Sequence, residues 1–220
     1  MLEPVTLEGD IVRLEPLSLH HAGALLAAAS ESRDAYTYTY VPADLEQARR
    51  YVEAALAEQA AARELPFATR DLRRDAIVGS TRFLDLEDWQ WSPAGPWKPG
   101  LGAPSGSPDA AEIGSTWLSA SAQRSGVNTE AKLLMLGHAF EVWNVHRVSL
   151  KTDARNARSR TAIERLGARF EGVRRAHVPS FDGSVRDSAY YSILRDEWPE
   201  VREHLRSLLT RSRPAERSSG

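Results

Sequence analysis

Residues 111–143 constrain the fold of this chain more than any other stretch, because a strand pattern there changes into a helix pattern across a turn of small residues. Residues 111–120 read as a strand. Residues 128–143 place Leu133, Leu136, Phe140 and Trp143 along one helical stripe, which must be buried against another element. Between them lies Gln123-Arg124-Ser125-Gly126-Val127-Asn128-Thr129-Glu130-Ala131. A small-residue turn that opens a helix directs several free backbone N–H groups at one point. That makes an anion site without any special side chain, and a pyrophosphate is its usual guest.

The flanking sequence sets this unit in a larger sheet. Residues 10–17 alternate apolar and polar and read as a first strand. Ser18 is a cap for a helix over 19–29, and Asp44 a cap for a longer helix ending near residue 63. Residues 67–70 and 77–84 read as two strands joined by a charged turn, and 147–152 as another strand. Residues 157–166 read as a helix closed by Gly167. Two further strands are expected over 169–175 and 186–194 around Asp182-Gly183, then a helix over 197–209. Hairpins and βαβ crossovers thus mix. The expected class is α/β (α+β), with a central sheet of about six to seven strands and helices on both faces rather than a doubly wound fold. One domain over 1–210 is expected, followed by a flexible tail at 211–220. It is interrupted by a Pro-, Gly- and Trp-rich insertion loop over 85–110, which cannot stay regular for long.

Composition excludes several classes. The chain has 220 residues, 28 basic and 30 acidic, with a formal net charge of −2. No nucleic-acid or membrane partner is expected from that balance. There is no cysteine, so disulfides, thiolate metal sites and a covalent cysteine intermediate are ruled out. No His/Asp/Glu spacing suggests a metal. No apolar run approaches the roughly 20 residues of a membrane helix, and no signal peptide is visible, so the expected setting is cytoplasmic.

The order of elements, the turn Gln123-x-x-Gly126, the preceding Glu112-Ile113-Gly114, and the run Asn156-x-x-Ser159 with Leu166-Gly167 resemble the GNAT acetyltransferase superfamily. Within it the chain is similar to the RimJ/RimL-like branch of ribosomal-protein N-terminal acetyltransferases. Two positions depart from the family pattern. The sixth residue of the turn, usually Gly or Ala, is Asn128, which tolerates unusual φ and can cap a helix. The tyrosine found seven residues after the asparagine in many members is Ile163 here, and Ser159 matches a serine used instead.

The resemblance implies acetyl-CoA as co-substrate, with no metal, and a primary amine as acceptor, attacked in a ternary complex. The acceptor is either a peptide N-terminus or a small molecule such as an amino acid, polyamine or antibiotic. A catalytically weak acyl-CoA-binding module is the rival reading. The backbone of Arg124, Ser125, Gly126, Val127, Asn128 and Thr129 would then cradle the CoA pyrophosphate, with Gln123 opening the turn and the Arg124 side chain adding charge. Glu112 is the candidate general base, since an alkylammonium must lose a proton before it attacks. The alternative is a solvent-facing strand glutamate. The backbone at Trp117 and Leu118 would polarise the thioester carbonyl. Asn156 would bond the pantetheine, or serve as a plain N-cap, or both. Ser159 would donate a proton to the departing thiolate. For the acceptor, Tyr36, Tyr38, Tyr40, Trp89, Trp91 and His177 are the candidates, since exposed aromatics on loops suggest recognition. Their alternative is pinning loops to the body or self-association. Homodimers are frequent in the family.

Overall fold

The computed structural model describes residues 3–90, 106–180 and 182–212. In chain order the elements are β1 (Leu7–Glu8), β2 (Val12–Pro16), α1 (Ala22–Ser30), α2 (Leu45–Ala60), β3 (Leu65–Asp71), β4 (Ala76–Glu87) and β5 (Ala110–Leu118). They continue with α3 (Val127–Gly137), β6 (Arg147–Asp153), α4 (Ala157–Arg165), β7 (Arg169–Pro179), β8 (Val185–Leu194) and α5 (Trp198–Ser212). The strands form one sheet of order β1-β2-β3-β4-β5-β6-β8-β7. Neighbours are antiparallel except β5 and β6, which are parallel and joined through α3. A parallel pair needs a crossover of this kind.

The mixed sheet with helices on both faces agrees with the sequence reading, with one strand more than the expected six to seven. The addition, β1, is two residues long, too short for any period to show. The turn that joins it to β2 is held by Glu130 on α3. The Glu130 carboxylate accepts backbone N–H bonds from Asp10, Ile11 and Val12 at 3.1, 2.8 and 2.7 Å. Glu130 therefore points away from the anion-type turn. Gly9 permits the approach, because a Cβ there would lie 2.6 Å from the carboxylate.

Strand alternation sends neighbouring residues to opposite faces. Phe67, Phe83, Ile113 and Leu118 join one buried cluster with Met135, Leu136, Ile163 and Leu205 from α3, α4 and α5. Ala68 and Trp117 join a second with Leu25, Ala48 and Val52 from α1 and α2. The helix expected over 128–143 does not stay α-helical. After Gly137 it turns as a π-helix over His138–Val142, with Trp143 N–H bonding His138 C=O. The widened turn still buries Phe140 and Trp143.

β5 leaves β6 early. Only Ala110, Ala111 and Glu112 pair with β6, against Arg147, Val148 and Ser149. β6 meanwhile stays paired with β8 from Arg147↔Leu194 to Asp153↔Ser188. The departure coincides with a bulge. Gly114 faces Arg82 and Trp117 faces Ser80, so Ser115 and Thr116 both stand against Thr81, and Ser115 has a φ of 47°. A bulge of this sort bends its strand and raises the local twist. The sheet therefore opens as a V beyond Glu112.

Replacing Glu130 by Ala removes a buried acceptor from three amides. Urea unfolding is expected to show a loss of about 2–4 kcal/mol with an unchanged m-value, and Glu130→Gln, which keeps one acceptor oxygen, a smaller loss.

Candidate active site

The anion-type turn closes the mouth of the V on the α3 side. Arg124 and Gly126 both have positive φ, 58° and 89°, so the turn curls into a concave arc of backbone. Such arcs aim successive N–H groups inward. Gly126 is the helix N-cap. It is glycine for conformational reasons and also for space, since a Cβ would meet Ile11 at 3.1 Å. Helix geometry leaves the first amides of α3, from Val127, Asn128 and Thr129, without partners inside the helix. Asn128 is neither the cap nor a positive-φ residue; it sits in regular helix, so the family departure at this position leaves the turn's backbone intact. Gln123 braces the turn, its Nε2 donating to Leu118 C=O at 3.0 Å. Arg124 is exposed, and Arg158, on α4, reaches Gln123 Oε1 at 3.4 Å. Arg158 is a second cation at this turn that no motif had marked.

Glu112 lies where β5 and β6 separate, on the face opposite α3, and is 4% exposed. Its Oε2 is 2.8 Å from Lys151 Nζ, and the same ammonium is 2.8 Å from Asp85 Oδ2. Burial pushes Glu112 up to about 7, against the downward pull of Lys151. For Lys151 burial acts to lower the amine's pKa, but Glu112 and Asp85 outweigh it and the net direction is up. The Tyr190 ring stands 6.0 Å from the ammonium. Asp85, Glu87, Glu112, Ser149, Arg174 and Tyr190 line a cavity of about 420 Å³. A carboxylate raised toward neutrality beside an acid-rich cavity can accept a proton from a bound ammonium. Lys151, Asp85 and Tyr190 were not marked by the sequence reading. The available signal was rarity: Lys98, Lys132 and Lys151 are the only lysines among 28 basic residues.

Asn156 and Ser159 stand together at the head of α4. Asn156 Oδ1 accepts the Ser159 backbone N–H at 3.0 Å, so the N-cap role is present. The cap engages the oxygen and leaves the amide nitrogen as a donor. Ser159 is half-buried, and Ile163 is buried in the core beneath the helix.

The aromatic candidates separate. Tyr36 is buried and donates its hydroxyl to Leu118 C=O at 2.9 Å, with its ring edge-on to Trp117 at 6.0 Å. Trp117 is buried too, and its Nε1 donates to Tyr51 Oη at 3.2 Å. Tyr38 lies under the Arg155 guanidinium at 5.3 Å, and Tyr40 lies 6.2 Å from Tyr51. Trp89 stacks on His146 at 5.3 Å and bonds Glu87 through Nε1. Trp91 lies outside the described residues. His177 bonds Ser188 Oγ at 3.0 Å and Tyr190 Oη at 3.2 Å, which joins it to the rim of the acidic cavity. Of the five that are described, Trp89 and His177 touch residues of that cavity, whereas Tyr36 is a buried strut against Leu118 and Trp117.

On the opposite face, Lys132 is 3% exposed. Its Nζ donates to Thr116 Oγ1 at 2.7 Å and to Thr81 Oγ1 at 3.0 Å, which ties α3 to the bulge. Burial alone pushes its amine down to about 7. Among the described residues no group of His, Asp and Glu is placed to hold a metal ion, and no helix is long and apolar enough to cross a membrane.

Residues 12–169 match the family described as an acetyltransferase (GNAT) domain. YdaF of Bacillus subtilis (strain 168), provisionally named a ribosomal N-acetyltransferase, is 34% identical over 88 residues, or 40% of this chain and 47% of YdaF. The chain thus spans about half the length of the curated relatives it matches. Among solved structures, a GCN5-related N-acetyltransferase from Brucella melitensis has a TM-score of 0.78 and 29% identity, covering 94% of this chain and 86% of that one. A provisionally named acetyltransferase from T. thermophilus has a TM-score of 0.74 and 32% identity, covering 95% and 99%.

Lys132 makes stability pH-dependent. Its folded pKa is depressed from 10.5 to about 7, so between those values the folded state binds fewer protons than the unfolded chain. Stability therefore rises with pH across that window. Chemical denaturation at several pH values is expected to show wild type gaining on Lys132→Met between about pH 7 and 10. A constant gap would mean that the amine is charged in place.

Proposed function

The chain belongs to the GNAT acetyltransferase family, and from that premise we propose that it transfers an acetyl group from acetyl-CoA to a primary amine by direct attack in a ternary complex. The observation that carries this reading is the pairing of a concave anion-type turn with a V-shaped gap whose vertex holds Glu112. The group fits the site. The arc from Arg124 to Thr129 would hold the pyrophosphate on backbone N–H groups, with Arg124 and Arg158 adding charge. The unpaired edge of β5 beyond Glu112, including the backbone at Trp117 and Leu118, would lie along the pantetheine. Acetyl-CoA would supply the acyl group as a thioester, already activated for transfer.

The chain's own residues do the rest. Glu112 takes the proton from the incoming ammonium, with Lys151, itself paired to Asp85, fixing its carboxylate. Asn156 keeps its amide N–H groups as donors beside the cap, and Ser159 offers a hydroxyl one turn along. With no cysteine in the chain, no acyl-enzyme is invoked and holding the reactants together contributes most of the rate. Asp85, Glu87 and Glu112 favour a cationic acceptor. A protein N-terminal amine is the acceptor we favour, supported by the ribosomal name of YdaF; a small amine uses the same chemistry.

Acetyl-CoA at 100 times its dissociation constant should add roughly 2.7 kcal/mol of apparent stability in a thermal-shift assay. CoA release is then measured with peptides beginning Ser or Ala and with common small amines. Binding without release above background for any of them would leave only an acyl-CoA-binding module.

With a working acceptor, kcat/KM is expected to rise with pH through about 7, the value to which burial lifts Glu112. Glu112→Gln should lower kcat by about 10²–10⁴ and remove that limb of the profile. An unchanged profile in the variant would take Glu112 out of the base role.

A further inference from the structure

The seat that an acceptor ammonium would take is filled by the protein's own amine. Lys151 Nζ lies 2.8 Å from Glu112 and 2.8 Å from Asp85, inside the V and two residues beyond the last β5–β6 pair. Its side chain is 17% exposed, so it is reachable from the gap and not sealed in the core. We propose that Lys151 is a self-acetylation site, modified from acetyl-CoA bound in the same molecule when no acceptor is present. This rests on the acetyl-CoA reading given above.

Three observations carry it. The first is position: the amine already touches the carboxylate assigned to remove a proton from the acceptor. The second is chemistry: a primary amine can acylate, whereas a guanidinium stays protonated and does not attack a thioester. The chain uses arginine for all but three of its 28 basic residues, and one of those three lysines is here. The third is contrast: Lys132 is buried on the opposite face, where its amine donates to the hydroxyls of Thr81 and Thr116 and not to a carboxylate.

The step balances. Glu112 takes one proton from the Lys151 ammonium, and the freed Nζ lone pair forms a bond to the thioester carbonyl carbon. The carbon–sulfur bond breaks and its electron pair leaves on sulfur. The second nitrogen proton is lost as the amide forms, so the products are acetyl-Lys151, CoA thiol and one proton. Acetylation removes the positive charge that Glu112 and Asp85 share, so acceptor turnover is expected to fall as the mark accumulates.

The test incubates the full-length protein with acetyl-CoA and no acceptor, then maps acetylated peptides by mass spectrometry. The expected result is acetylation at Lys151 but not at Lys132, with a first-order rate that does not change on roughly tenfold dilution of the protein, as an intramolecular reaction requires. Glu112→Gln should slow it by about 10²-fold or more. Lys151→Arg should show no acetylation at that position. Thermal shift with acetyl-CoA runs alongside. If acetyl-CoA raises the melting temperature and Lys151 stays unmodified, self-acetylation is wrong while the donor reading stands. Equal rates in wild type and Glu112→Gln would reduce the mark to solution chemistry and overturn the proposal. If acetyl-CoA gives no shift, the donor reading itself has failed and self-acetylation falls with it.

Discussion

The separation of β5 from β6 is the feature on which the rest of this structure depends. Three parallel pairs hold the strands together, and beyond Glu112 they part while β6 keeps its other neighbour, β8, to Asp153. Parting exposes backbone that a continuous sheet would have satisfied, which is costly unless something takes its place. Part of the cost is met internally: Leu118 C=O accepts bonds from Tyr36 and Gln123. The bulge at Ser115 and Thr116 sets the angle of departure, and Lys132 fastens the bulge to α3. Positive φ at Asp85, Ser115 and Arg124 places three strained non-glycine residues around the same gap. Strain of this kind persists where surrounding structure over-determines it, and functional sites are where it gathers.

Electrostatics at the gap turn on the choice of lysine over arginine. A guanidinium is charged at any pH the protein meets, so it neither titrates nor acylates. Lys132 donates to two hydroxyls and is pushed by burial toward its neutral form, where an arginine would leave an uncompensated buried charge. Lys151 has two carboxylates and is held charged. The same residue type is thus shifted in opposite directions on the two faces of the sheet, set by partner and not by depth alone.

Much of the fold was legible in the sequence because its signals are local. Strand alternation, the caps at Asp44 and Asn156, and the small-residue turn at 123–131 each show within a short stretch of chain. β1 was not legible, since two residues carry no period and its anchor, Glu130, is 120 positions from Asp10. The candidate site divides the same way. The anion-type turn is contiguous and could be read directly, while Glu112 became a candidate only through the family resemblance. Asp85, Lys151 and Tyr190 arrive from β4, β6 and β8, and no spacing rule joins them. Tyr36 illustrates the opposite difficulty: an amphipathic ring suits a groove or a buried strut equally well, and only its partner, Leu118 C=O, decides.

The two faces of the sheet also explain why the site is built on a gap and not on a loop. The anion-type turn, α3 and α4 lie on one face, whereas Glu112, Asp85 and Tyr190 lie on the other. A continuous sheet would keep a ligand held by the turn away from a proton acceptor on the far side. Opening the strands lets the two sides meet at one line without moving either helix layer, so each face keeps its own packed core. Glu112 sits at the last paired residue, where the backbone is still fixed by β6 and its carboxylate already reaches the opening. Gly114 next along the same face completes the arrangement, because a Cβ there would lie 3.1 Å from the Glu112 carboxylate. The Glu112 carboxylate is thereby held on rigid strand while the space beside it stays open, which is the geometry that positioning two reactants requires.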